Sequence, residues 1–319
     1  MATRSFPYNA KFYRKKTKKM NSKSLSSQKY FETDGAIFMG SNRTIKDSSI
    51  GIYGVPYDGT TSFRPGSRFG PTSIREISHG IETYCPEFEL DLCDLNYSDF
   101  GSLKIPYGAP EPVIKSVENI TEELINNKIK PLMLGGEHSM TIGAVKGASK
   151  FYSDLVLIQL DAHADLRDKW LGSKYNHACT MRRCLEVIAS DHLLQVGIRS
   201  GTREEFAELK SEQRLIRLDP ENNTNVFEKA LSNLLGKPIY LTIDLDWFDP
   251  SVLPGTGTPE PGGFFWNDFS NILKILRKHN VIAADIVELS PQLDASGISS
   301  ILAAKTTRSV LMLLNKYPI

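Results

Sequence analysis

The 319-residue sequence predicts an α/β fold of three layers, αβα, with helices on both faces of a mainly parallel central sheet. Two observations carry this. Apolar runs such as SIGIYGV at 49–55, LVLIQL at 155–160 and PIYLTI at 238–243 are continuous rather than alternating, as strands buried on both faces must be. Between them lie stretches with apolar residues at helical spacing, so strand and helix alternate along most of the chain. A hydrophobic fraction of 40% beside 24% charged residues is enough for a sizeable core.

Ordered structure is expected from about residue 36, after a polar, Lys-rich lead-in. The run 49–55 is the first strand. Residues 71–79 (PTSIREISH) start a helix, with Pro71 in the first turn, where its missing N–H costs nothing. Apolar residues at helical spacing over 113–127 give the next helix, and 129–134 the strand after it. A helix over 142–149 leads to the strand 155–160, a helix over 179–189 to the strand 193–198, and a helix over 227–235 to the strand 238–243. A helix over 269–279, a strand over 281–287 and a long helix over 298–314 close the chain. No repeat or composition break follows residue 36. Residues 36–319 therefore read as one domain, and 1–35 as a basic, flexible segment.

Charge is balanced overall, with 38 Lys and Arg against 37 Asp and Glu, which argues against a protein that coats nucleic acid. The balance hides an asymmetry. The first thirty residues hold nine basic residues and no acid, leaving 29 against 37 in the rest, a net of −8. An acidic body of that kind is compatible with a small cationic substrate. Four scattered cysteines make neither a disulfide framework nor a zinc finger, so reduced thiols in a cytoplasmic protein are expected. No run approaches the roughly 18 apolar residues of a membrane span, and the lead-in lacks the apolar core of a secretory signal.

The chemistry lies where polar residues interrupt the strands. Gly135-Gly136-Glu137-His138-Ser139 follows one strand, Asp161-Ala162-His163-Ala164-Asp165 a second and Asp244-Leu245-Asp246 a third. Open parallel sheets place their ligand sites at these carboxyl ends. In extended chain, residues i, i+2 and i+4 share a side, so Asp161, His163 and Asp165 project together, as do Asp244 and Asp246. With His138, four carboxylates and two imidazoles converge. Four carboxylates so close cannot all stay ionised without compensating positive charge, and a divalent pair supplies it. An oxygen-rich set with a minority of imidazole suits Mn²⁺ better than a thiolate-type zinc site.

GGEHS, DAHAD and TIDLDWFDP, in this order, resemble the three metal-binding signatures of the ureohydrolase (arginase/agmatinase) family. The likeness runs over about residues 49–315. It takes in RPGSRFGP at 64–71, GTGTP at 255–259 and DIVE at 285–288, but not the basic lead-in. It implies an arginase/deacetylase-like fold and two Mn²⁺ per subunit. His138 and Asp165 would hold one ion, His163 and Asp246 the other, with Asp161 and Asp244 bridging. A water activated by the pair would attack a guanidinium carbon, releasing urea and a primary amine. Asp165 would relay the proton, Glu288 would pair with the guanidinium, and His177 would shuttle protons at the mouth, although Asn176-His177-Ala178 departs from the usual His-Gly text. A homo-oligomer, trimer or hexamer, follows from the resemblance alone; neither nucleic acid nor membrane is an expected partner.

Substrate choice is read from the segment after Asp165. The Ser-Gly-Asn-type loop with which arginases read amino acid substrates is absent. Arg167 to Asn176 stands in its place; the D-x-x-x-D-L-R-D text at 161–168 with a histidine about nine residues later, the text at 258–263 and Ile198-Arg199-Ser200-Gly201 look more like agmatinases. Agmatine hydrolysis to putrescine and urea, a step of polyamine biosynthesis, is the expectation, with Asp168 and Glu260 as candidates for the distal ammonium. Arg167 and Lys174 would suit a carboxylate tail instead, so guanidinobutyrate, guanidinopropionate and free guanidine stay open. An arginase, a formimino-compound hydrolase, a deacetylase-like enzyme and a silent binding homologue are weaker alternatives. Trp247 either narrows the pocket or packs in the core.

Overall fold

The computed structural model describes residues 28–32, 35–41, 48–218 and 223–315. Its sheet has eight strands. They are β1 (Ile50–Val55), β4 (Tyr97–Ser102), β5 (Lys130–Gly135), β6 (Val156–Leu160), β7 (Leu193–Val196), β8 (Leu215–Ile216), β9 (Pro238–Asp244) and β10 (Asn280–Val287). The order is β4-β1-β5-β10-β9-β6-β7-β8, and every pairing is parallel. A two-stranded antiparallel hairpin, β2 (Tyr84–Cys85) with β3 (Leu90–Asp91), stands apart from it.

The continuous apolar strands are buried along their length because both faces are covered. On one face, Ile52, Leu134, Ile158 and Leu241 pack with α1 (Gly70–Ser78), α6 (Asn223–Leu231), α7 (Trp266–Leu276) and α8 (Ile298–Leu314). On the other, Tyr53, Met133, Leu157 and Tyr240 meet α2 (Pro110–Asn126), α3 (Thr141–Ser149), α4 (Thr180–Cys184) and α5 (Arg203–Ser211). The three-layer reading is the one observed.

Four differences from the sequence reading have physical causes. Order begins before residue 36, because buried Phe31 bridges Leu103 and packs against Phe100. The rest of the basic lead-in, residues 1–27, lies outside the described residues. β4 goes unpredicted because its text, YSDFGS, is polar; its buried Asp99 is satisfied bidentately by Arg75 of α1 at 2.8 and 2.9 Å and by the Phe38 and Gly101 amides. α5 is also polar, and its start is marked by a capping box in which Thr202 and Glu205 satisfy each other's backbone N–H. The helix expected over 179–189 is only Thr180–Cys184, the rest turning toward β7.

Among the described residues, no helix is long and apolar enough to cross a membrane. All four cysteines are unpaired.

Candidate metal centre and active site

β5, β10, β9 and β6 are consecutive in the sheet, and their carboxyl ends carry every residue of the three motifs. His138 opens a turn after β5. Asp161, His163 and Asp165 follow β6, and Asp244 ends β9 with Asp246 two residues on. Glu288 follows β10 with φ +66°, a left-handed conformation uncommon outside glycine. Glycine is required beside it: a Cβ on Gly136 would lie 1.8 Å from the Tyr57 carbonyl oxygen.

The predicted ligands converge. His138 Nδ1 lies 3.0 Å from Asp161 Oδ2, 3.1 Å from Asp165 Oδ2 and 3.3 Å from Asp244 Oδ2. His163 Nδ1 lies 2.9 Å from Asp246 Oδ2 and 3.6 Å from Asp161 Oδ1. Two groups able to hold a metal result, His138-Asp161-Asp165 and Asp161-His163-Asp246. Asp161 belongs to both, the position a bridging ligand needs. Asp244 gives one oxygen to the His138 side while its other accepts the Asp246 N–H at 2.9 Å.

Hydrogen bonding behind the ligands fixes their roles. The Thr242 hydroxyl donates to Asp285 Oδ1 at 2.6 Å, so toward His138 Nε2, 2.9 Å away, it accepts. A ring proton therefore sits on Nε2, and Nδ1 faces three carboxylates. That nitrogen is buried and without a hydrogen-bond partner. A lone pair facing carboxylate oxygens at 3 Å is stable only with a cation or a proton between them. Gln159 and the His163 N–H hold Asp161 at 2.7 and 2.5 Å, and the Ala162 N–H holds Asp246 at 3.0 Å.

Electrostatics agree with this reading. Burial and the neighbouring Asp161 charge push Asp165 up to about 7. Burial, with Asp246 and Asp161 nearby, raises Asp244 well above the carboxylate range. Glu288 is raised likewise by burial and the Glu137 charge. Against burial, the surrounding carboxylates lift His138 well above its usual value and His163 to about 12, while both imidazoles hold Asp161 low. Protons gather where the cluster lacks positive charge.

The cluster opens into a cavity of about 250 Å³ lined by Ser62, His163, Asp165, Arg167, Trp170 and His177 among others. Glu288 Oε1 accepts the His138 N–H at 2.8 Å and lies 3.7 Å from His177 Nδ1. Burial, and the positive charges of the other imidazoles, pull His177 down to about 4. Glu260 does not line the cavity itself but lies 3.7 Å from His163 Nε2 and accepts from the Ser200 hydroxyl, both on residues that do. Asp168 does not line the cavity. Its exposed carboxylate accepts from Arg183 at 2.6 Å. Trp247 is fully buried, stacked on Phe264 at 4.5 Å, so it packs in the core rather than narrowing the pocket.

Sequence reading passed over Glu137 and Ser62. Glu137, buried and pushed to about 7 by burial, accepts from the Thr60 amide at 2.7 Å and from the Thr60 and Ser139 hydroxyls. Its place inside GGEHS was the available signal. For Ser62, which meets His177, the sequence carries none.

Comparison with known proteins places these features. A family model described as the arginase family matches residues 48–313. An agmatinase of Bacillus cereus is 37% identical over 281 residues, 87% of this chain and 96% of that one. An N(1)-aminopropylagmatine ureohydrolase of Thermococcus kodakarensis is 39% identical over 242 residues, 75% of this chain and 82% of that one. The crystal structure of an agmatine ureohydrolase of Thermoplasma volcanium superposes with a TM-score of 0.78 at 31% identity, covering 91% of this chain and 97% of that one.

Proposed function

The chain belongs to the arginase family and is a hydrolase of linear amidine C–N bonds, and from that premise we propose that it is a binuclear manganese agmatinase. Its substrate would be agmatine and its products putrescine and urea, in the service of polyamine synthesis. The observation that carries the reading is the His138 Nδ1 set amid three carboxylates, one of them shared with a second ligand group.

His138, Asp161, Asp165, His163, Asp244 and Asp246 would hold two Mn²⁺. Bound there, the ions would supply the charge that four carboxylates require, lower the pKa of a water and polarise the substrate. The chain's own groups do the rest. Glu288 would pair with the guanidinium, whose planar donors suit a carboxylate. Asp165 would take the attacking water's proton and pass it to the amine nitrogen as the C–N bond breaks. His177, at the mouth, would exchange protons with the departing amine. Glu260 would stand near the distal ammonium. A homo-oligomer, trimer or hexamer, in the cytoplasm completes the proposal.

One observation favours a second reading. Arg167 lines the cavity with its guanidinium 3.9 Å over the Trp170 ring, and a cation there would suit an ω-guanidino acid better than a diamine. Urea release from agmatine, N(1)-aminopropylagmatine, guanidinobutyrate, guanidinopropionate, guanidine and arginine separates the readings, on protein stripped by chelator and reloaded. Agmatine should give the highest kcat/KM, and Mn²⁺ the greatest recovery. Preference for guanidinobutyrate would shift the assignment to the carboxylate-tailed class, and no urea from any of the six would end it.

A further inference from the structure

We propose that Ser62 is a positioning residue that holds His177 as the tautomer with its proton on Nδ1, facing the reaction site. The Ser62 backbone N–H lies 3.2 Å from His177 Nε2 and its hydroxyl 2.8 Å from the same nitrogen. A backbone N–H can only donate, so Nε2 must offer its lone pair and the neutral ring carries its hydrogen on Nδ1. That nitrogen is the one on the Glu288 side, 3.7 Å from Oε1. The ring is thereby set to donate into the cavity, and the reverse tautomer would bring two N–H groups against each other.

Ser62 is exposed, yet both flanks of its loop are pinned. On one side the Thr60 N–H and hydroxyl donate to buried Glu137, while Asn176 Nδ2 donates to the Thr60 carbonyl at 2.7 Å. Asn176 Oδ1 in turn accepts the Ala178 N–H at 3.0 Å and so caps the turn that carries His177. On the other side Arg64 donates to the Thr256 and Gly257 carbonyls at 2.8 and 3.1 Å. An exposed serine thus meets a nearly buried imidazole at fixed geometry. Because the same asparagine ties both loops, Ser62 and His177 keep their register.

The inference rests on His177 taking part in proton transfer, and two measurements keep the two ideas separable. In ¹⁵N-histidine-labelled protein loaded with diamagnetic Mg²⁺, the His177 signals should show Nδ1 protonated and Nε2 bare. A protonated Nε2 overturns the proposal whatever the kinetics say. With the preferred guanidino substrate, Ser62→Ala keeps the longer backbone N–H contact but removes the shorter hydroxyl bond to Nε2 and should lower kcat about tenfold, a fraction of what general acid–base catalysis contributes, with KM within about twofold. Ser62→Thr should restore most of the loss, and Ser62→Ala should add nothing in a His177→Ala background. An S62A enzyme as fast as wild type, or the same loss recurring without His177, sinks the role. If His177→Ala alone keeps full activity, the proton-transfer reading of that histidine fails, and the tautomer measurement then decides the hold of Ser62 on the ring.

Discussion

Replacing Glu288 by Gln separates substrate binding from stability, because the two should move in opposite directions. Glu288 Oε1 accepts the His138 N–H at 2.8 Å. In the variant the amide oxygen must keep that bond, since a backbone N–H needs an acceptor. The NH₂ group then replaces Oε2 and turns donors toward a guanidinium that has only donors of its own. One charge-assisted hydrogen bond, about 1.5–3 kcal/mol, is lost, and donor is set against donor where it stood. A total of about 3 kcal/mol corresponds to roughly 150-fold in kcat/KM. Stability runs the other way. Burial and the Glu137 charge raise the Glu288 pKa, so the metal-free folded protein keeps a proton that the unfolded chain releases above about pH 4.5. That contribution is fully present at low pH and is lost as pH rises through the folded pKa. E288Q, with no charge to bury, should match wild type near pH 4.5 and melt higher at pH 8. Urea-release kinetics and thermal melts of chelator-treated protein provide both readouts. A variant that keeps kcat/KM within about threefold refutes the guanidinium assignment, and one that melts lower at pH 8 refutes the electrostatic account.

Other expectations follow from the same geometry. Asp244→Ala removes an oxygen 3.3 Å from His138 Nδ1; metal content by atomic emission should fall, and urea release should drop by more than about 100-fold, beyond the effect of losing an outer-shell partner. Full metal content with full activity would show that Asp244 is not a ligand. Asp165, pushed to about 7 by burial and Asp161, holds a proton that a cation must displace, and Asp244, His138 and His163 are raised as well, so apparent metal affinity should rise by at least about tenfold per pH unit across pH 5.5–8; chelator competition over that range tests this, and a flat profile contradicts it. Arg75→Ala leaves Asp99 buried without its bidentate partner and should cost about 3–5 kcal/mol by denaturant unfolding. A cost under about 1 kcal/mol would show that β4 does not depend on that pair.

The chain reveals its site more readily than its scaffold's edges, for a physical reason. Strands buried on both faces must be apolar throughout, so β1, β5, β6 and β9 stand out as text, and so do the ionisable residues that end three of them. β4 is buried through its centre, but Asp99 and Ser98 survive there because Arg75, Phe38 and Ser48, all 24 residues or more distant, bind them, and no local pattern announces such a partner. Asp168 shows the opposite failure. Its carboxylate lies close in sequence to Asp165, yet Arg183 on the next helix claims it. Trp247 follows the same rule. Beside Asp246 in the chain, it points to Phe264 and Phe269, and Gly197 is glycine because a Cβ there would lie 2.5 Å from the indole nitrogen. Adjacency in sequence does not decide which side of a strand end a side chain serves.

The GGEHS motif shows how the proposed ligand, substrate and proton-transfer groups come to depend on one segment. Gly136 lies under the Tyr57 backbone so closely that no side chain fits, and that approach lets the Glu137 N–H donate to the Tyr57 carbonyl at 2.7 Å. The Gly136 carbonyl accepts the Glu288 N–H at 2.9 Å, which fixes a residue held at positive φ. Glu137 then reaches up to the Thr60 loop that carries Ser62 to His177, while His138, one residue on, turns Nδ1 to the carboxylates. A single strand end therefore orients His138, Glu288 and, through the Thr60 loop, His177 at once. The acid at position 137 serves this geometry without a part in the chemistry: its two oxygens hold the Thr60 loop that carries Ser62 to His177.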